Sequence, residues 1–297
     1  MKSRSLTPSA AFAVGSAGIA VFSVMDAVMK GLSLSIGAYN ALFWRSFAAI
    51  AIAGVLYAVR RPALPSRATM RLHVARGVIG AVLAVLFFWG LARVPMAQAI
   101  ALAFIAPLIA LFLAAVILKE RIGRATIGAS ALAFAGVLTI LAGQARAEMG
   151  HEALLGAIAV LGSAVCYAFN LILMRAQSQV AGPVEVTFWQ NLVVAVTLAL
   201  AAPWFATVPD PSHVPMLTVS AALSTLSILL LSWAYAHGEA SYLAPTEYTA
   251  FVWASLLGWL VFRETLSPWT LAGAALIVGG CVIAARIKPI PLKEPIA

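Results

Sequence analysis

The sequence predicts an all-α integral membrane protein, ten transmembrane helices arranged as two inverted five-helix repeats, and three observations predict it. Apolar stretches of about 20 residues, the length needed to cross a hydrocarbon core of about 30 Å, follow one another with short polar breaks. Of the 297 residues, 63% are hydrophobic and 10% charged, with a mean hydropathy of +1.00, a balance foreign to soluble domains. The chain also repeats itself when slid by about 145 residues.

The spans are expected at residues 10–30, 37–59, 72–92, 95–118, 124–143, 153–175, 183–203, 214–236, 240–262 and 267–286. The first follows Lys2 and Arg4 like a signal peptide, but it runs to Met29 with no convincing cleavage site and is read as a retained helix. Asp26 lies in it, and Arg45 in the second span. The third opens after the basic loop of Arg60, Arg61, Arg67 and Arg71; the fourth holds Pro107 and leaves through Lys119-Glu120. The fifth presents Gly128, Ala129, Ala133 and Gly136, and the tenth Gly273, Ala275, Gly279 and Gly280. Such small residues let helices approach closely, within one chain or across a homodimer; the sequence leaves both open. The sixth to ninth spans repeat the order of the first four, and the ninth carries Pro245 and Glu247. Pro245 lacks a backbone donor, so a bend or break is expected beside the acid.

With loops assigned alternately to two sides, one side collects Lys2, Arg4, Arg60, Arg61, Arg67, Arg71, Arg76, Lys119, Arg121, Arg124, Arg175, Arg286, Lys288 and Lys293, fourteen of the nineteen basic residues. By the positive-inside rule that side is cytoplasmic, and both termini lie on it. The net charge of +9 is therefore topological, answering an anionic bilayer surface rather than a nucleic acid. No G-x-x-x-x-G-K-[ST] run exists to hold ATP, and neither H-E-x-x-H nor G-x-S-x-G appears, so an intramembrane enzyme is the weaker alternative. Cys166 and Cys281 fall inside spans and read as packing residues. His73, His151, His213 and His237 sit in or beside different loops, without metal-ligand spacing. No cofactor and no metal is expected.

The repeat rests on particular residues. Met29-Lys30 falls on Met174-Arg175, and Phe43-Trp44-Arg45 on Phe188-Trp189-Gln190. One residue closer, Trp89 falls on Trp233, Lys119-Glu120 on Arg263-Glu264, and Gly136 on Gly280. Five helices per copy is an odd number, so the second copy, residues 153–286, must enter the bilayer from the face opposite to the first, residues 9–143. Inverted repeats are the architecture of many secondary transporters, because exchanging the two halves' conformations exchanges inward and outward openings.

The stretch from Phe87 to Leu141, with Phe88-Trp89-Gly90-Leu91, Pro107, Leu118-Lys119-Glu120-Arg121 and the glycine-rich helix ending near Gly136, resembles the drug/metabolite transporter superfamily, EamA type. Trp233, Phe262-Arg263-Glu264 and Gly279-Gly280 repeat the pattern, and Met29-Lys30 with Phe43-Trp44-Arg45-Ser46 extends it upstream. The resemblance implies two EamA repeats and the movement of small metabolites, with relatives that include amino-acid exporters, adenosylmethionine carriers and nucleotide-sugar carriers.

A charged side chain at the bilayer centre costs at least about 2.5–3.5 kcal/mol, so Asp26, Arg45 and Glu247 each invite an explanation. Arg45 can hold a substrate carboxylate bidentately, with Asp26 as its counter-charge, or the two can form a structural ion pair. Glu247 can bind an ammonium group or carry a proton, or be neutralised by Arg76. Tyr167 and Asn170 share a face of the sixth span, Gln190 follows Trp189 at the position matching Arg45, and Gln98 matches Tyr242 in the repeat. With Trp44 and Tyr248 these residues would line a cavity fit for a small amphipathic molecule. Trp204, Trp259 and Trp269 read as headgroup anchors. The expected function is export of amino acids or related metabolites across a bacterial inner membrane by alternating access; uptake of a larger metabolite such as adenosylmethionine is the alternative.

Overall fold

The computed structural model describes residues 8–60, 64–118, 124–146, 150–177, 179–237 and 240–286. Within them the chain is helical, in the order α1 (Pro8–Ile36), α2 (Ala38–Arg60), α3 (Arg67–Leu91), α4 (Met96–Ala103), α5 (Ala106–Leu118), α6 (Arg124–Arg146), α7 (His151–Gln177), α8 (Pro183–Phe205), α9 (Val214–His237), α10 (Ala240–Phe262) and α11 (Pro268–Arg286). Among the described residues, six segments, in α1, α2, α3, α7, α8 and α9, are long and apolar enough to cross a membrane; three shorter apolar segments lie in α4–α5, α6 and α11. The chain is a multi-pass membrane protein.

The connections follow local chemistry. α1 runs six residues past the expected end of the first span, because Gly37, at φ 82°, is the residue that turns the chain without steric cost. Ser66 caps α3 by accepting from the Thr69 N–H at 3.2 Å. Between α8 and α9 a short 3₁₀ turn, Pro211–His213, is capped by Asp210, whose carboxylate accepts the Ser212 N–H at 2.8 Å and is held below the usual carboxylate range by hydrogen bonding from the Ser212 hydroxyl and then its amide.

The expected fourth span is two helices. Ile105 N–H reaches only Leu102 O, at 3.3 Å, and Pro107 offers no donor, so the ladder parts between Ala103 and Ala106. The Cys281 thiol occupies the Phe104 carbonyl there, at 3.2 Å. α10, by contrast, is continuous through Pro245, so the break allowed for there does not occur. Pro245 is the sixth residue of that helix and costs it one bond near its first turn, where little ladder is lost.

Helix pairs pack in couples. α1 lies on α9 as α3 lies on α7; α1 lies on α10 as α7 lies on α4 and α5; α2 meets α9 as α8 meets α3. α2 also meets α8, α4 meets α10, and α6 packs along α11. In that last contact Gly136 and Gly273 sit so close that a Cβ on either would press on the other's carbonyl, and Gly280 stands equally tight against Ala129. The small-residue faces therefore serve packing inside one chain. Cys166 and Cys281 are both free thiols.

Candidate functional site

Among the described residues, three polar groups stand out in the bundle. At the end carrying the α3 N-terminus, the α7 C-terminus and the α8 N-terminus, five side chains form a chain of hydrogen bonds. Arg76 donates from Nε to Asn170 Oδ1 at 3.2 Å and from Nη1 to Gln177 Oε1 at 2.5 Å. Gln177 Oε1 is thereby spent as an acceptor, so its amide Nε2 donates to His73 Nδ1 at 2.6 Å. The His73 proton then sits on Nε2 and is donated to Glu185 Oε1 at 3.1 Å. His73 and Gln177 are fully buried, and Trp189 stacks on the His73 ring at 6.1 Å. His73 lies three residues before Arg76, one helical turn, so the two face the same neighbours; it was expected beside a loop, and nothing in the sequence marks Gln177 or Glu185.

Asp26 and Arg45 form the second cluster, where α1 meets α2. Their charges interact through space, yet they make no direct ion pair. The Arg45 Nη1 instead faces Met25 Sδ at 3.5 Å. Asp26 is 2% exposed; its Oδ1 and the Arg45 Nε are both buried without a hydrogen-bond partner. The extended α1 places Asp26 ten residues from its helix end, deeper than the sequence indicated. On α8, Gln190 Oε1 and Trp189 Nε1 are also buried and uncommitted, as is Gln98 Nε2 on α4. Gly80 makes room for Gln190, since a Cβ there would collide with its amide nitrogen; Asn170 stands beside the same spot.

The remaining expected residues divide. Tyr167 is 44% exposed and lies within electrostatic reach of both Glu247 and Arg76, so the acid and the guanidinium share a neighbour. Arg76 spends its described hydrogen bonds on amides. Tyr248 packs edge-on against Phe104 at 5.5 Å. Trp44 is committed elsewhere: its indole donates to Thr207 O at 2.8 Å, tying α2 to the segment after α8. Tyr39, donating to Leu198 O at 2.5 Å, and Asn40, accepting the Thr207 N–H at 2.9 Å, strengthen that tie. The Tyr242 side chain lies outside the described residues. Trp204 and Trp259 are 76% and 57% exposed, on the outer surface of the bundle.

A third polar group closes the opposite end. The Lys30 ammonium donates to Val94 O at 2.6 Å and to Glu264 Oε1 at 2.5 Å, while Glu264 Oε2 accepts the Met96 N–H at 2.8 Å. An open hollow of about 320 Å³ lies over it, lined by Lys30, Arg93 and Glu264 among others. In the sequence Lys30 and Glu264 are markers of the repeat, 234 positions apart, and nothing there pairs them.

Against known proteins, the EamA-like transporter family model matches residues 9–142 and again residues 154–286. The pseudopaline exporter of Pseudomonas aeruginosa is 30% identical over 269 residues, covering 90% of this chain and 93% of that protein. The riboflavin transporter of Rhizobium johnstonii is 30% identical over 278 residues, covering 91% and 88%. The S-adenosylmethionine uptake transporter of Rickettsia bellii is 24% identical, covering 86% of each. A crystal structure at 20% identity superposes with a TM-score of 0.58 over 94% of this chain and 98% of its own, a likeness of fold.

Proposed function

The chain belongs to the EamA-like transporter family, and on that premise we propose that it is a secondary transporter of the bacterial inner membrane, exporting amino acids or related small amphipathic metabolites by alternating access. Ten spans, in two five-helix units of opposite orientation, make up the transporter. The coupled packing of α1 on α9 with α3 on α7, and of α1 on α10 with α7 on α4 and α5, supports two halves related by a two-fold axis. Both termini are cytoplasmic, which the fourteen basic residues on one side support.

One observation carries the substrate site: Asp26 and Arg45 are buried with polar atoms unspent. A carboxylate and a guanidinium held inside a membrane bundle are costly, and a zwitterion offers each its missing partner, carboxylate to Arg45 and ammonium to Asp26. Gln190 and Trp189 on α8 add an acceptor and a donor for the rest of the molecule. Glu247, with Tyr167, forms a second station toward the cytoplasmic end. The relatives named for riboflavin and for S-adenosylmethionine uptake support a second reading, import of a larger metabolite through the same scaffold.

The test is a panel of radiolabelled amino acids, riboflavin and S-adenosylmethionine on purified protein in liposomes. The proposal expects saturable flux of a zwitterionic amino acid that unlabelled substrate competes away. Flux of riboflavin or S-adenosylmethionine alone would transfer the assignment to the second reading.

A further inference from the structure

The ion pair between Lys30 and Glu264 is built with more care than surface charge requires. Lys30 is 4% exposed, in the last two turns of α1, six residues before Ile36. Its ammonium meets the Val94 carbonyl and the Glu264 carboxylate and lies 5.3 Å from the centre of the Phe262 ring. Glu264 is brought there by an uncommon backbone: Arg263 adopts φ 57°, left-handed for a residue with a Cβ, and the Glu264 N–H turns back to Gly258 O at 3.0 Å. Gly258 leaves room for it, since a Cβ there would press on the Glu264 carboxylate and make it shift. The second carboxylate oxygen accepts the first N–H of α4, where the helix dipole favours negative charge. Arg93, the other cation lining the hollow, is engaged separately by Glu152 at 2.7 Å and by the Trp89 ring.

One carboxylate thus ties together the last turns of α1, the α3–α4 turn and the exit of α10, drawing on both matched halves of the chain. We propose that this knot is a latch holding the extracytoplasmic end of the transport pathway shut, and that Lys30 and Glu264 part when that end opens. The inference rests on the transporter reading. It requires no particular substrate. The latch is strong when made, since both charges are largely out of water, and quick to lose when one partner is removed, since the other is then left buried and unpaired.

Accessibility tests it without any cargo. In a chain with Cys166→Ala and Cys281→Ala, a reporter Ser23→Cys lies seven residues below Lys30, two turns down α1 on the same face and about 10 Å deeper. An impermeant thiol reagent is applied from the extracytoplasmic side of right-side-out vesicles. The latch predicts that Lys30→Gln and Glu264→Gln each raise the initial labelling rate about tenfold or more. Gly258→Ala, which dislodges the carboxylate without removing a charge, raises it too, whereas Lys30→Arg stays near the parent. Folding is checked by size exclusion. Labelling within twofold of the parent in folded Lys30→Gln, Glu264→Gln and Gly258→Ala would overturn the latch, as would failure of all three to fold, which makes the pair structural. Absence of flux for every metabolite tested would count against the substrate reading and leave this result standing.

Discussion

Asp26 and Arg45 lie in each other's field without a direct ion pair, and the proposed substrate site rests on that geometry. A structural pair would spend its hydrogen bonds internally. Here the Asp26 Oδ1 and Arg45 Nε keep theirs. Removing one charge takes away the field that offsets the burial of the other, so Asp26→Asn and Arg45→Gln should each lower thermal stability. The double variant Asp26→Asn/Arg45→Gln should recover stability yet remain at least about tenfold slower in flux, which a thermal-shift series with paired uptake assays measures. Recovery of flux along with stability would make the pair structural. Gln177 poses the contrary case, since it bonds both Arg76 and His73. Gln177→Ala should cost about 1–3 kcal/mol for each polar group it orphans, read as a lowered unfolding midpoint in detergent. The sequence exposed Asp26 and Arg45 because charge inside an apolar run is conspicuous by itself. It could not expose the Arg76 to Glu185 chain, because His73 and Gln177 sit where spans end and polar residues are ordinary there.

At the scale of elements, the small-residue stripes of α6 and α11 are a contact between those two helices. Gly136 and Gly273 leave no room for a side chain, whereas Gly128, on the same helix as Gly136, faces open space. Gly136→Val and Gly273→Val should therefore sharply reduce folded protein, and Gly128→Ala should leave it unchanged, as fluorescence-detected size exclusion would report. The placement of these helices was readable from apolar length, but two details were not. The end of α1 looks polar from Ser33 to Ser35 and still stays helical, because the Ser35 hydroxyl turns onto the Leu32 carbonyl at 3.1 Å and Gly37 alone supplies the turn. Two prolines that read alike, Pro107 and Pro245, act differently because one falls deep in its apolar run and the other in the opening turns of a helix.

Across the whole molecule, the charge asymmetry and the repeat together make one claim, that the arginine-rich end faces the cytoplasm and the Lys30–Glu264 end faces outward. In intact cells, a cysteine at Ser66 should resist an impermeant thiol reagent while one at Ser212 reacts; the opposite pattern would reverse the orientation. That the chain is all-helical and crosses a membrane repeatedly was legible because apolar length is a one-dimensional property. Which side chains meet across the repeats was not, since Lys30 and Glu264 are separated by 234 positions. The most direct measurement of the central claim is the flux of a zwitterionic amino acid into proteoliposomes by the parent protein and by Arg45→Gln. The account predicts saturable flux by the parent and at least about a tenfold loss in the folded variant. Equal flux by both, with equal amounts of folded protein in the membrane, would contradict it.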